Sequence, residues 1–133
     1  LYYGDERCLP ADDPRRNSQM VIDTGLAERV GKHYPIPTEL GAKAAAAKYR
    51  ERIEAALPFD MVLLGMGEDG HTASLFPGNP ALDDSRPVVP VHRAPKPPAE
   101  RVSLTVFFDG KTEECWGKTI SRHAGNSPLP SIR

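Results

Sequence analysis

The chain has 133 residues, with 17 Lys and Arg against 18 Asp and Glu, so it has the length of one domain and lacks the basic excess of a general nucleic-acid binder. Its apolar runs, such as 61–64, are far shorter than the roughly 20 residues that a membrane-spanning helix needs. Its two distant cysteines exclude a disulfide scaffold and a cysteine-rich zinc module. Because no apolar leader is visible either, we expect a cytoplasmic protein.

The N-terminal part of the chain predicts a short strand and then a helix. Apolar and aromatic residues predict the strand over 1–4. Pro14 suits the first helical position, and Asp12 or Asp13 could cap it. Apolar residues then recur at helical spacing, so we predict a helix over 14–29.

The strongest helical pattern lies over 38–57, with Thr38 as its expected N-cap and Pro58 as its stop. Five residues at spacings of three and four form one apolar face: Ala42, Ala46, Tyr49, Ile53 and Ala56. The continuous apolar run 59–65 is typical of a buried parallel strand. A helix, a strand and a glycine-rich loop in this order predict an α/β fold.

Prolines divide the rest of the chain. Residues 77–101 predict a long irregular stretch that contains a short edge strand over 88–91, because Pro90 cannot sit in a central ladder. Residues 102–108 have the composition of a strand.

The glycine-rich loop 65–70 matches the G-x-G-x-x-G pattern of dinucleotide-binding proteins. That pattern should open a long helix, but Pro77 follows seven residues after Gly70. Glu68 and Asp69 would also place two negative charges beside a pyrophosphate. We therefore reject a dinucleotide site and expect no cofactor.

An active-site loop explains the same residues better. The loop follows a predicted strand at the edge where α/β sheets bind ligands. His71 can exchange protons near neutral pH, and Asp69 could orient its imidazole. Glycines such as Gly67 let the backbone approach a ligand and offer amides to an oxyanion. The alternative is a tight turn with an exposed histidine.

Three segments, in this order, resemble the 6-phosphogluconolactonase family. They are the loop 4–10 with Gly-Asp-Glu-Arg, the strand and loop 59–77, and the Pro-Lys-Pro-Pro segment 94–105 that ends in Arg-Val-Ser-Leu-Thr. The resemblance implies a single, partial sugar-phosphate lactonase domain over 1–133. Its implied fold is a Rossmann-like parallel sheet flanked by helices, incomplete at the N-terminus.

The resemblance also implies a reaction, the hydrolysis of 6-phospho-D-glucono-1,5-lactone to 6-phosphogluconate in the pentose phosphate pathway. It makes His71 the general base on water, supported by Asp69, with no metal. The substrate-binding residues that we expect are Asp5, Arg7, Gly67, Lys96 and Arg101. Arg7 could instead form a local surface ion pair, and the two later cations could belong to a solvated basic loop. The expected partner is the small-molecule lactone, bound by a monomer or a weak homo-oligomer.

Two other functions stay open. One is a glucosamine-6-phosphate deaminase/isomerase that uses Asp5 as an acid/base group, and the other is a phosphosugar-binding fragment without catalysis. The chain also departs from the family pattern, since it lacks an N-terminal sugar-phosphate loop. After Thr105 it lacks the helical connection that joins parallel strands. We expect either missing residues near 105–106 or a true deletion in a divergent member.

Overall fold

The computed structural model describes residues 1–105. In chain order its elements are β1 (Asp5–Arg7), α1 (Asn17–Asp23), α2 (Leu26–Arg29), a 3-10 turn (Thr38–Leu40), α3 (Ala42–Glu54), a second 3-10 turn (Pro80–Asp83), β2 (Val88–Val91) and β3 (Arg101–Leu104). The predicted end of the last strand at 108, the tail and the expected break at 105–106 fall outside the described residues.

The sheet of the described chain has three antiparallel strands in the order β1-β3-β2. This class is α/β, but the expected parallel sheet is absent from residues 1–105, where the parallel pairing found is an isolated bridge between Tyr2 and Tyr34. A physical reason applies to β2 and β3. The segment 92–100 between them is shorter than the dozen or so residues of a parallel crossover, so the strands pair antiparallel.

Strand β3 lies in the centre and separates two layers of the core. Val102 and Leu104 pack with Val88 against the buried face of α3, which consists of Ala42, Ala45, Ala46, Tyr49 and Ile53. On the opposite face, Val89 and Val91 pack against Phe76 and its neighbours in the loop region. The helix predicted over 38–57 is thus confirmed in its central part, and the edge strand over 88–91 is confirmed in full.

The predicted cap of this helix is wrong. Gly41, at φ 84°, separates the 3-10 turn from α3 and takes the N-cap position. Thr38 instead donates its hydroxyl to the Arg7 carbonyl oxygen at 2.9 Å. A hydroxyl that has a long-range acceptor is not available to the helix N–H groups.

The helix predicted over 14–29 is two short helices, because Gly25 adopts φ 71° between them. Neither predicted aspartate caps the first one. The buried Glu6 carboxylate accepts the Asn17 and Ser18 N–H groups at 2.7 and 2.8 Å, and it lies 3.5 Å from the Arg16 guanidinium. A carboxylate from a distant strand therefore satisfies the helix N-terminus.

The first predicted strand lies further along the chain than expected, at Asp5–Arg7 and not at 1–4. Residues 59–65 form no paired strand in the described chain, and Met61 and Leu63 are 64% and 73% exposed. Their neighbours Val62 and Leu64 are half-buried, so alternate side chains face inwards. No helix within residues 1–105 is long and apolar enough to cross a membrane.

Candidate active site

The glycine-rich loop folds into consecutive tight turns that present His71. The Gly67 N–H donates to the His71 carbonyl oxygen at 2.8 Å, and the Gly70 N–H donates to the Gly67 carbonyl oxygen at 2.9 Å. Gly70 has φ 81°, which favours glycine. No helix follows within residues 65–79, whereas a dinucleotide-binding loop should open a long helix.

His71 and Asp69 form a hydrogen-bonded pair between Nδ1 and Oδ1. This bond lowers the pKa of Asp69 to about 2, so the carboxylate is ionised at neutral pH. Lys96 places its Nζ 3.6 Å from the same carboxylate oxygen. Asp69 therefore lies within hydrogen-bond distance of the imidazole and within ion-pair distance of the Lys96 ammonium group.

Gly67 lies directly against the His71 ring. A Cβ at this position would overlap the ring atoms Cε1 and Nδ1 and would lie 2.8 Å from Asp69 Oδ1. The two side chains thus occupy space that only a glycine leaves open. Gly67 therefore contributes the room for the pair, whatever its backbone contributes to a ligand.

Phe76 packs against the His71 imidazole. The sequence did not indicate this residue as part of the site. Its ring stacks on His71 with 4.6 Å between centroids and 28° between planes, and it is 1% exposed. The Arg101 guanidinium lies 5.4 Å from the same ring centroid. The signal that could have indicated Phe76 is its apolar Leu-Phe-Pro context at the end of a polar loop.

Arg101 is buried, and most of its donors bind the neighbouring loop. Nη2 donates to the Lys96 and Pro97 carbonyl oxygens at 2.9 and 3.3 Å, and Nε donates to the Pro98 carbonyl oxygen at 3.1 Å. Burial lowers its pKa, and the nearby Arg7 charge adds to this effect. Arg101 therefore holds the loop that carries Lys96.

Asp5 lies on the same face of the sheet as Arg101, and hydrogen bonds fix its side chain there. Its Oδ2 accepts the Ser74 hydroxyl at 2.6 Å, and its Oδ1 accepts the Asn17 side-chain amide at 2.9 Å. Burial raises the pKa of Asp5, whereas the Ser74 hydrogen bond opposes that rise. Sequence reasoning missed Ser74, because a serine in a polar loop carries no distinctive signal.

Arg7 lies opposite Arg101 in the β1–β3 register, two residue pairs along from Asp5 and Ser103 and therefore on the same face. Its Nη1 donates to the Arg15 carbonyl oxygen.

The expected residues thus form two groups. Gly67, Asp69, His71 and Lys96 lie together at the loop, and Asp5, Arg7 and Arg101 share one face of the sheet.

Two residues that sequence reasoning did not select join these groups, since Phe76 contacts His71 and Arg101 while Ser74 contacts Asp5 and Arg101. Among residues 1–105, no three His, Cys, Asp or Glu side chains are grouped as metal ligands. The arrangement offers a histidine with a carboxylate partner beside several cations, as acid/base chemistry on an anionic substrate requires.

Residues 1–116 match the family model described as glucosamine-6-phosphate isomerases/6-phosphogluconolactonase. The chain belongs to this family. It is 38% identical over 134 residues to a 6-phosphogluconolactonase of Streptomyces coelicolor, covering 87% of this chain and 51% of that protein. It is 37% identical over 157 residues to one of Mycobacterium leprae, covering 99% of this chain and 63% of that protein.

Solved family structures resemble the described chain as well. A 6-phosphogluconolactonase from Thermotoga maritima has a TM-score of 0.69 and 30% identity, covering 78% of this chain and 49% of that one. The enzyme from Trypanosoma brucei has a TM-score of 0.64 and 30% identity, covering 77% and 50%. The chain spans about half the length of the relatives that it matches. The Mycobacterium leprae alignment is longer than the chain's own 133 residues, so it contains gaps on this side.

Proposed function

We propose that this chain is part of a 6-phosphogluconolactonase, which hydrolyses 6-phospho-D-glucono-1,5-lactone to 6-phosphogluconate in the pentose phosphate pathway. The observation that carries the proposal is the Asp69–His71 pair beside Lys96. Relatives and structural neighbours bearing the lactonase name support it. The function is assigned to one lactonase domain, of which this chain is a part.

His71 is the proposed general base. Its Nδ1 faces Asp69, so in the tautomer with the proton on Nδ1 the Nε2 lone pair is the one left for water. Nε2 takes a proton as the water oxygen attacks the lactone carbonyl carbon. The tetrahedral intermediate then expels the ring oxygen, which receives that proton from the imidazolium. Asp69 stays ionised and stabilises the imidazolium in between.

The oxyanion of that intermediate is assigned to backbone N–H groups of the glycine-rich loop. Those of Gly67 and Gly70 already donate inside the turns. The proposed oxyanion donors are therefore the other backbone N–H groups of residues 66–72.

The substrate phosphate is assigned to the cationic side of the site. Lys96 is the direct contact, because its side chain is 52% exposed and already reaches the Asp69 carboxylate. Arg101 adds positive charge and holds the Lys96 loop in place, and Arg7 adds charge beside it. Arg101 is also among the expected substrate-binding residues, but its engaged donors favour Lys96 for the direct contact.

Glucosamine-6-phosphate deamination is the competing activity, since the family model covers both classes. The engaged carboxylate of Asp5 disfavours it, because a deaminase would need that group for proton transfer. Comparing proton release from the lactone with ammonia release from the amino sugar phosphate separates the two activities.

The decisive variant is His71→Ala in the full chain. We expect kcat for the lactone to fall by about 10²–10⁴-fold with little change in product affinity, the usual contribution of a general base. His33→Ala is the control, since within residues 1–105 that ring contacts the Tyr3 hydroxyl and the Tyr3 ring and lies outside the candidate site. Spontaneous hydrolysis is subtracted in each run. Wild-type turnover by His71→Ala would remove this residue from the mechanism.

The finer features of the fold are proposed with the function. Segment 59–65 is assigned to a parallel Rossmann-like sheet. This is supported by its unpaired, exposed Met61 and Leu63 and by the structural neighbours, of which this chain covers only about half. A cytoplasmic location suits a phosphorylated substrate, because its charge prevents passage across membranes. A monomer or weak homo-oligomer is the matching state, and sedimentation of the full chain tests it.

A further inference from the structure

We propose that Asp5 and Ser74 form a positioning contact that fixes the His71 loop on the sheet, so that Asp5 takes no part in proton transfer. The inference rests on the proposed lactonase function, because it assigns Asp5 a role in presenting the general base of that reaction. It replaces the expectation that Asp5 binds substrate.

Ser74 connects the loop to two strands at once. Its hydroxyl donates to Asp5 Oδ2 on β1 at 2.6 Å, and its N–H donates to Ser103 Oγ on β3 at 3.1 Å. Ser74 and Ser103 are both fully buried. Buried hydrogen bonds to two adjacent strands restrict both the position and the orientation of the loop.

Asp5 has little freedom for acid/base work in this arrangement. Each carboxylate oxygen already accepts a hydrogen bond, one from the Ser74 hydroxyl and one from the Asn17 side-chain amide. The same Asn17 amide also donates to the Asp5 carbonyl oxygen at 2.9 Å. A proton on this carboxyl group would compete with these donors for the lone pairs of its two oxygens and would weaken the contact with Ser74.

The contact reaches His71 through the backbone between them. Ala73 has φ 49°, a left-handed conformation that a non-glycine residue rarely adopts, and an antiparallel bridge between Thr72 and Leu75 closes the turn around it. Such strain persists only when surrounding bonds hold it. Phe76, two residues after Ser74, stacks on the His71 ring. Releasing Ser74 therefore frees the turn and the ring support together.

The test uses three variants of the full chain. Asp5→Ala and Ser74→Ala should each lower kcat by about 10- to 100-fold, because small displacements of a catalytic group are this costly, and KM should change by less than about threefold. The double variant should lose little more than either single one, since both remove the same contact. Asp5→Asn should recover most of the kcat, because its amide can bond both Asn17 and Ser74.

Two outcomes overturn the proposal through activity. One is an Asp5→Asn variant as slow as Asp5→Ala, and the other is loss of one limb of the pH profile in Asp5→Asn, because both indicate proton transfer. Matched controls are Asp12→Asn and Ser85→Ala, which change exposed side chains. Ser74→Ala alone tests the contact if Asp5→Ala does not fold, since it leaves the Asn17 bonds intact.

Amide hydrogen exchange separates this inference from the proposed function. In Ser74→Ala the amides of 71–76 should exchange at least tenfold faster, while those of α3 keep their protection. A wild-type chain without lactonase activity would refute the function and leave this readout to decide the contact. Unchanged exchange at 71–76 in Ser74→Ala would refute the contact, whatever the activity.

Discussion

Replacing Gly67 with alanine should disable His71 without touching it. The new Cβ would overlap the imidazole and crowd Asp69 Oδ1 at 2.8 Å, and the Phe76 ring stacked on the imidazole limits where the imidazole can move. Relief requires the ring to move by about 1 Å, and a misplacement of that size costs about 10²-fold in rate. We therefore expect kcat to fall by about 10²-fold, within the general-base contribution of about 10²–10⁴-fold.

Gly65→Ala is the matched control, because a Cβ there meets no atom within 4 Å and the residue does not need a positive φ. The assay is proton release from the phosphorylated lactone at constant pH, with the spontaneous rate subtracted and kcat and KM determined separately. Thermal unfolding of both variants checks that the fold is kept. A Gly67→Ala enzyme with kcat within threefold of Gly65→Ala would refute the inferred crowding of His71.

Three further outcomes follow from contacts of the site and its surroundings. Lys96→Ala should raise KM for the phosphorylated lactone about tenfold, because it removes a charge-assisted hydrogen bond, but should not raise KM for the unphosphorylated lactone. The control is Lys48→Ala, which changes an exposed side chain. Equal effects on both lactones would contradict phosphate binding by Lys96. Because the pKa of Asp69 is lowered to about 2, its pairing with His71 should be complete above the ordinary carboxyl pKa of 3.8 and should disappear as the pH falls towards 2. The NMR resonances of the His71 ring measure this pairing. Loss of the pairing already at pH 5 would contradict the lowered pKa. Burial raises the pKa of Cys8 to about 11. In a chain whose second cysteine is replaced by serine, the rate of thiol alkylation should therefore increase with pH up to that value. A rate that reaches its plateau by pH 9 would contradict the raised pKa.

Local patterns predicted the parts of the fold that local forces determine. The apolar face of α3 repeats every three to four residues, so its helix could be predicted. Pro90 confines its strand to an edge, and β2 is an edge strand. The proximity of His71 and Asp69 could also be predicted, because the two residues are only two positions apart in the loop.

Long-range partners determined what the sequence did not predict. Glu6 caps α1 from eleven residues away, so a search for a cap beside the helix selected the wrong aspartates. The antiparallel order of the strands depends on which segments meet, and alternation alone does not encode it. Ser74 and Phe76 gained their roles by folding onto Asp5 and His71, and isolated residues of these types carry no positional signal.

Strand β3 divides its four residues between two incompatible environments. Arg101 and Ser103 point to the polar side with their guanidinium and hydroxyl groups engaged, while Val102 and Leu104 point into the apolar layer on α3. A slip of the chain by one residue would carry an arginine into hydrocarbon and two aliphatic side chains into the polar cluster. The same four residues therefore disfavour any one-residue shift of the strand during folding, because such a shift exchanges its polar and apolar sides.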